Sequence, residues 1–209
     1  MENTALLIFE IIGTVAFAAS GAIIALNKKM DIFGVMILGL VTAVGGGVLR
    51  DLLLGYTPPN MFRNPVYAIV AALVSLLLFS SKIRKAIFKQ QKVYDLCLLV
   101  MDSIGLGIFT VVGIMVAQNR IVDNPFFLVF LGVITGVGGG IMRDVMAGIT
   151  PYIFVKHFYA TASIIGAVLT VVLWGYFGAT ISMIIGAVII VVLRLLAAHF
   201  RWSLPKPKD

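Results

Sequence analysis

Residues 38–62 read LGLVTAVGGGVLRDLLLGYTPPNMF, and residues 131–155 read LGVITGVGGGIMRDVMAGITPYIFV. At a fixed offset of 93 the two share Leu38/Leu131, Gly39/Gly132, Thr42/Thr135 and Val44/Val137. They also share the triplets Gly45, Gly46, Gly47 and Gly138, Gly139, Gly140, then Arg50/Arg143, Asp51/Asp144, Gly55/Gly148, Thr57/Thr150 and Pro58/Pro151. The duplication reaches further upstream at an offset of 92, where Glu10, Gly13, Phe17, Gly21 and Asn27 match Asp102, Gly105, Phe109, Gly113 and Asn119. At 100° per residue, each acid falls with its two glycines and phenylalanine on one helix face about 80° wide.

The setting of this duplication is a chain of 209 residues, 61% hydrophobic and 12% charged. A water-soluble domain carries about 25% charged residues, so part of the solvent here is lipid. Apolar stretches of the length needed to cross a roughly 30 Å hydrocarbon core recur from end to end. Seven spans follow, at 4–27, 33–56, 64–81, 94–118, 125–149, 157–175 and 178–199. The start, Met1-Glu2-Asn3-Thr4, has neither the basic segment nor the cleavage site of a secretory signal. Cys97 is the single cysteine, which excludes an intrachain disulfide.

The net charge of +7 is not read as a nucleic-acid surface, because the basic residues lie in short loops between spans. With the N-terminus outside, eleven Lys and Arg fall on cytoplasmic segments: Lys28, Lys29, Lys82, Arg84, Lys85, Lys89, Lys92, Lys156, Arg201, Lys206 and Lys208. The outer loops then carry two, Arg63 and Arg120. The positive-inside rule therefore predicts an integral membrane protein with its N-terminus out and its C-terminus in the cytoplasm. The loop 82–92 reads as a linker that fixes this orientation, with attraction to anionic membrane lipids as the second reading.

Each copy of the duplication contains three spans, an odd number, so the second copy must enter the membrane from the opposite face. The expectation is one all-α transmembrane domain over 1–209. It comprises two inverted three-helix repeats, 4–81 and 94–175, related by a pseudo-two-fold axis in the membrane plane, with a seventh helix at 178–199 outside them.

Three consecutive glycines cost about 1 kcal/mol each against Ala in a helix interior. The triplets near the middle of spans 2 and 5 therefore predict glycine-broken helices that free backbone groups for an ion or solute. The competing reading is close helix contact through small residues. Arg50, Asp51, Arg143 and Asp144 follow within about a turn, where each charge costs at least about 2.5–3.5 kcal/mol unless it faces the bundle interior or a water-filled path. Neighbours on a helix do not face one another. The expected pairing is thus across the repeats, Arg50 with Asp144 and Arg143 with Asp51, with Glu10 and Asp102 as competing partners. Thr42 and Thr135, with Thr14, Ser20 and Thr110, are candidates to line a polar path. His157 and His199 are isolated, and no nucleophile, nucleotide-binding loop or metal-ligand cluster occurs, so no enzyme, cofactor or metal site is expected.

With its doubled GGGxxRD motif, the chain resembles the prokaryotic trimeric intracellular cation channels, formerly grouped as a putative glycine transporter domain, over about residues 4–200. That resemblance implies a homotrimer in the prokaryotic plasma membrane with a pore in each protomer between the two repeats. The pore passes monovalent cations, chiefly potassium, with sodium as a second ion. The motif positions Gly45–Gly47, Arg50, Asp51, Gly138–Gly140, Arg143 and Asp144 then mark its path. The lysine-glutamate-valine motif of the animal members is absent, and Arg143-Asp144-Val145 stands in its place. Two other readings stay open: a secondary transporter of glycine or another small zwitterion, and a structural subunit without a transported substrate.

Overall fold

The computed structural model describes residues 2–119, 124–155 and 158–202. Arg120, Lys156, His157, Lys206 and Lys208 lie outside them. The described residues form helices and connecting turns, with no strand among them. In chain order the helices are α1 (Glu2–Asn27), α2 (Ile32–Leu53), α3 (Asn60–Arg63), α4 (Val66–Phe79), α5 (Ser81–Ile87), α6 (Gln91–Gln118), α7 (Pro125–Met146), α8 (Tyr152–Val155) and α9 (Tyr159–His199). Helices α1, α2, α6, α7 and α9 are long and apolar enough to cross a membrane, and α4 with α5, bent by 76°, makes a sixth candidate. The protein is an all-helical membrane protein.

Local sequence sets the ends of the two motif-bearing helices. The Asp31 carboxylate accepts the Gly34 N–H at 2.7 Å to start α2. The Asn124 side chain accepts the Phe126 and Phe127 N–H groups to start α7, with Pro125 in the first turn. Both satisfy donors that a helix start leaves open. Both helices then close in the same way. Gly55 and Gly148 take φ of 74° and 65°. Gly55 N–H bonds the Leu52 carbonyl and Tyr56 N–H the Asp51 carbonyl; Gly148 and Ile149 repeat this with Val145 and Asp144. These are Schellman caps, which need a left-handed residue. They stop the helices at Leu53 and Met146 rather than at 56 and 149.

The glycine triplets do not break their helices: α2 and α7 run without interruption through Gly45–Gly47 and Gly138–Gly140. The triplets instead let the two backbones touch. A Cβ on Gly46 would overlap the Thr135 carbonyl, and one on Gly139 would overlap the Thr42 carbonyl. Position 42 thus meets 139 and position 46 meets 135; likewise 45 meets 142 and 49 meets 138. The contacts are reciprocal, and α1 gives the sense: Arg50 of α2 lies by Glu10 and Arg143 of α7 by Ser20, towards opposite ends of α1, so the crossing is antiparallel. The carbonyl contact replaces the side-chain packing that glycine lacks, and both helices keep their hydrogen bonds. The freed backbone groups expected at mid-span are therefore absent.

Helix α6 forms the centre of the bundle, with the largest share of buried residues among the long helices. It packs against α1 through the stacked rings of Phe17 and Phe109, 5.3 Å apart. Helix α9 reverses at Gly178, whose φ of 73° and ψ of 175° interrupt it. Its two arms fold onto each other, because a Cβ on Gly166 would lie 3.1 Å from the Gly186 carbonyl and one on Gly186 would lie 3.3 Å from the Gly166 carbonyl. These two glycines therefore serve contacts within the chain.

Gly46→Ala should destabilise the protein by about 2 kcal/mol or more, because overpacking has nowhere to relax at a backbone contact. Gly47→Ala meets only the Arg50 guanidinium, 3.9 Å away. It should change stability by no more than about 1 kcal/mol. Thermal unfolding of both variants in detergent, read against the wild type, checks the difference.

Candidate functional site

The antiparallel crossing sends the two Arg-Asp pairs in opposite directions, and each pair seeds a cluster of buried polar groups. In both clusters the arginine turns back onto its own neighbour. Arg50 Nε donates to Asp51 Oδ1 at 2.9 Å, and Arg143 Nε donates to Asp144 Oδ1 at 2.8 Å. This corrects the expected cross-repeat pairing. The long arginine arm spans the angle between adjacent positions, a reach that the facing rule for shorter side chains does not capture. The second carboxylate oxygens have structural partners too. Asp51 Oδ2 accepts the Asn60 N–H at 2.8 Å at the start of α3. Asp144 Oδ2 accepts the Tyr152 N–H at 2.8 Å at the start of α8.

The first cluster adds Glu10 from α1 and Tyr67 from α4. The Tyr67 hydroxyl donates to Glu10 Oε2. Glu10, Arg50 and Asp51 border a cavity of about 240 Å³, together with Tyr56, Pro58, Asn60 and Arg63. A narrower recess of about 40 Å³ continues past Thr14, Gly47 and Tyr67 to Phe109. That smaller volume is near the scale of one water molecule. With Glu10 ionised, two carboxylates face one guanidinium here, and the recess is electrically negative.

The second cluster is more deeply buried, and its outer members Tyr152 and Arg194 border a cavity of about 920 Å³. Arg143 is fully buried. Its Nη1 donates to Asp102 Oδ1 at 2.6 Å and also to the Ser20 hydroxyl. Its guanidinium lies over the Tyr152 ring, 5.3 Å from the centroid. Arg194, from the far arm of α9, approaches Asp102 Oδ2 at 3.7 Å and covers the Tyr159 ring at 4.6 Å. Two arginines and two aspartates balance.

Of the residues singled out in the sequence, Glu10, Arg50 and Asp51 gather at the first cluster, and Asp102, Arg143 and Asp144 at the second. Gly47 borders the recess, while Gly46 and Gly139 hold the crossing. Thr42 and Thr135 return their hydroxyls to the Leu38 and Leu131 carbonyls at 2.5 and 2.6 Å. They pack beside Gly21 and Gly113 and border neither cavity of the first cluster. No group of three potential metal-ligating side chains occurs among the described residues. Sequence reasoning missed Tyr67 and Tyr159 as cluster members. They stand at the same offset of 92 as Glu10 and Asp102, and extending the alignment past the motif finds them. Ser20 and Arg194 carry no such signal, since position 112 opposite Ser20 is valine and residue 194 lies beyond the duplication.

Among the described residues the site consists of two clusters of buried charges flanking a glycine crossing in an all-helical membrane bundle. A family profile described as glycine transporter matches residues 7–82 and 99–175. The UPF0126 inner membrane protein YadS of Escherichia coli K12 is 38% identical over 200 residues, covering 95% of this chain and 93% of its own. A solved TRIC cation channel is 39% identical, with a TM-score of 0.84 over 97% of both chains. The solved orthologue of the trimeric intracellular cation channel from Rhodobacter sphaeroides is 31% identical, with a TM-score of 0.84 over 95% of this chain and 99% of its own. The chain belongs to the prokaryotic TRIC family, the family that the glycine transporter profile describes, and it has the TRIC channel fold.

Removing one partner of a buried ion pair costs about 3–5 kcal/mol when the other is left unpaired. Arg143→Gln, which leaves buried Asp144 without a guanidinium and Asp102 with only its 3.7 Å contact to Arg194, should reach that range. Arg50→Gln, beside a cavity that admits water, should cost clearly less. Urea unfolding of the two variants in the same detergent gives the order.

Proposed function

We propose that the protein is a homotrimeric, potassium-permeable cation channel, with a pore in each protomer between two inverted repeats. The solved chains it resembles are a TRIC cation channel and a trimeric intracellular cation channel orthologue. The observation that carries the reading to this chain is the first cluster, a recess bordered by Glu10 and Asp51 and backed by the glycine crossing. Carboxylates at a narrow, low-dielectric recess lower the cost of a partly dehydrated cation. The pathway in this reading runs past Gly45–Gly47, Arg50 and Asp51, passes beside the α2–α7 contact, and leaves past Gly138–Gly140, Arg143 and Asp144.

The inverted repeat is supported by the reciprocal contacts of α2 with α7 and by the two matched stretches 7–82 and 99–175. Seven crossings follow if α4 with α5 counts as one and α9 as two, divided at Gly178. In this reading the Lys and Arg distribution favours the first cluster facing outside and the second facing the cytoplasm, and the inner membrane relative YadS supports the prokaryotic plasma membrane as its location. A zwitterion carrier needs a guanidinium and a carboxylate free to hold glycine. Here Arg50 and Asp51 are engaged with each other, and Asp51 also holds Asn60. That geometry favours the channel over the glycine carrier.

Reconstituted protein should pass potassium with unitary currents and show no saturable uptake of labelled glycine; the converse result replaces the channel with a carrier. Glu10→Gln and Asp51→Asn should each lower unitary potassium conductance by about twofold in dilute salt. The deficit should shrink at 1 M salt, where charges are screened within roughly 3 Å. Conductance that neither substitution changes removes these carboxylates from the pathway.

A further inference from the structure

The two clusters are made of equivalent residues and end in different electrical states. Glu10, Arg50, Asp51 and Tyr67 correspond to Asp102, Arg143, Asp144 and Tyr159 at offsets of 92 or 93. In the first cluster the tyrosine hydroxyl bonds the acid from α1. In the second, the Tyr159 hydroxyl makes no hydrogen bond, and its ring serves as the seat for the Arg194 guanidinium. Arg194 has no counterpart in the first copy, because it comes from the arm of α9 that lies outside the duplication. It adds one positive charge. With Glu10 ionised, Glu10, Asp51 and Arg50 sum to −1, with Arg63 at the rim of the larger cavity, whereas Asp102, Asp144, Arg143 and Arg194 sum to zero.

Arg194 also makes the looser of the two contacts to Asp102, 3.7 Å against 2.6 Å for Arg143. All three side chains are at most 3% exposed. Arg143 is fixed further by Asp144 and Ser20. The guanidinium of Arg194 reaches the cluster on an arm whose chain connection to the rest of the bundle passes through the turn at Gly178. Asp102 Oδ2, the oxygen that Arg194 approaches, accepts no hydrogen bond from the described residues, so the Arg194 charge is what offsets it.

We infer that Arg194 is a latch. Supplied by the helix outside the duplication, it neutralises the second cluster and keeps Asp102 from a passing cation, so that conduction is limited there and not at the first cluster. This inference rests on the cation-channel reading.

The test is potassium flux from liposomes containing the full-length protein, with recordings of open probability and unitary current. Arg194→Gln should raise flux by roughly 5- to 10-fold, within the usual range of coupling between two sites, through open probability rather than unitary current. Arg194→Lys should restore the wild-type rate, since it returns the charge, whereas a general packing defect would not be rescued by charge. Tyr159→Leu removes the seat without removing a charge, and should raise flux in the same direction. It stands in if Arg194→Gln fails to elute as the wild type does. Wild-type flux left unchanged by Arg194→Gln, or raised equally by Arg194→Lys, overturns the latch and leaves the channel reading intact. Absence of potassium flux from the wild type and all variants overturns both.

Discussion

The rest of the structure depends on the backbone contact between α2 and α7. At Gly46 and Gly139 each helix lays its glycine against a carbonyl of the other, with no side chain between. Helices in lipid gain no hydrophobic energy from meeting, so close van der Waals contact carries the association. This contact fixes the distance and the sense of the crossing. The sense then decides that the two Arg-Asp pairs, each a few residues further along, depart towards opposite ends of the bundle. Had the helices crossed in parallel, all four charges would have met at one level.

Given that separation, each arginine has to be satisfied locally. The solution is the same at both ends: the guanidinium bonds the adjacent aspartate, and the aspartate's other oxygen caps the short helix that follows, α3 or α8. Charge neutralisation and chain reversal thereby share one carboxylate. The two ends diverge only in what surrounds this unit. At one end a longer acid, Glu10, and a tyrosine leave a water-sized recess. At the other, Asp102, Ser20 and Arg194 fill the space around Arg143. The difference between a negative recess and a filled, neutral cluster comes from very few positions.

The doubled frame was legible in the residues because Arg-Asp after a glycine triplet, occurring twice at one spacing inside apolar spans, marks a duplication of the helices that carry it. The acids, arginines and glycines of the motif-bearing helices were marked by their offset, and the doubled motif pointed to the family. The role of the glycines was not legible. A triplet weakens a helix and clears space for a neighbour at the same time, and only the neighbour's position decides which property is used. Here Thr42 and Thr135 present their carbonyls, and contact prevails over fracture. The pairing of Arg50 and Arg143 was hidden for a related reason: helical facing rules describe Cβ directions, and an arginine acts at the end of a long flexible arm. Ser20 and Arg194 were invisible to the alignment because they have no equivalent in the other copy. They are also the residues that make the halves unequal.

The reversal at Gly178 bears on how the chain enters a membrane. Residues 159–193 contain no charged side chain, so hydropathy alone marks no division within this stretch. The division is conformational, a single φ of 73° that an L side chain adopts only at a cost. The arms are flanked by basic residues, Lys156 before the first and Arg201 after the second, with no charge at the turn between them. A hairpin so flanked carries its charge signals at its two ends, and its turn carries none, so the reversal is set by backbone geometry and not by the positive-inside rule.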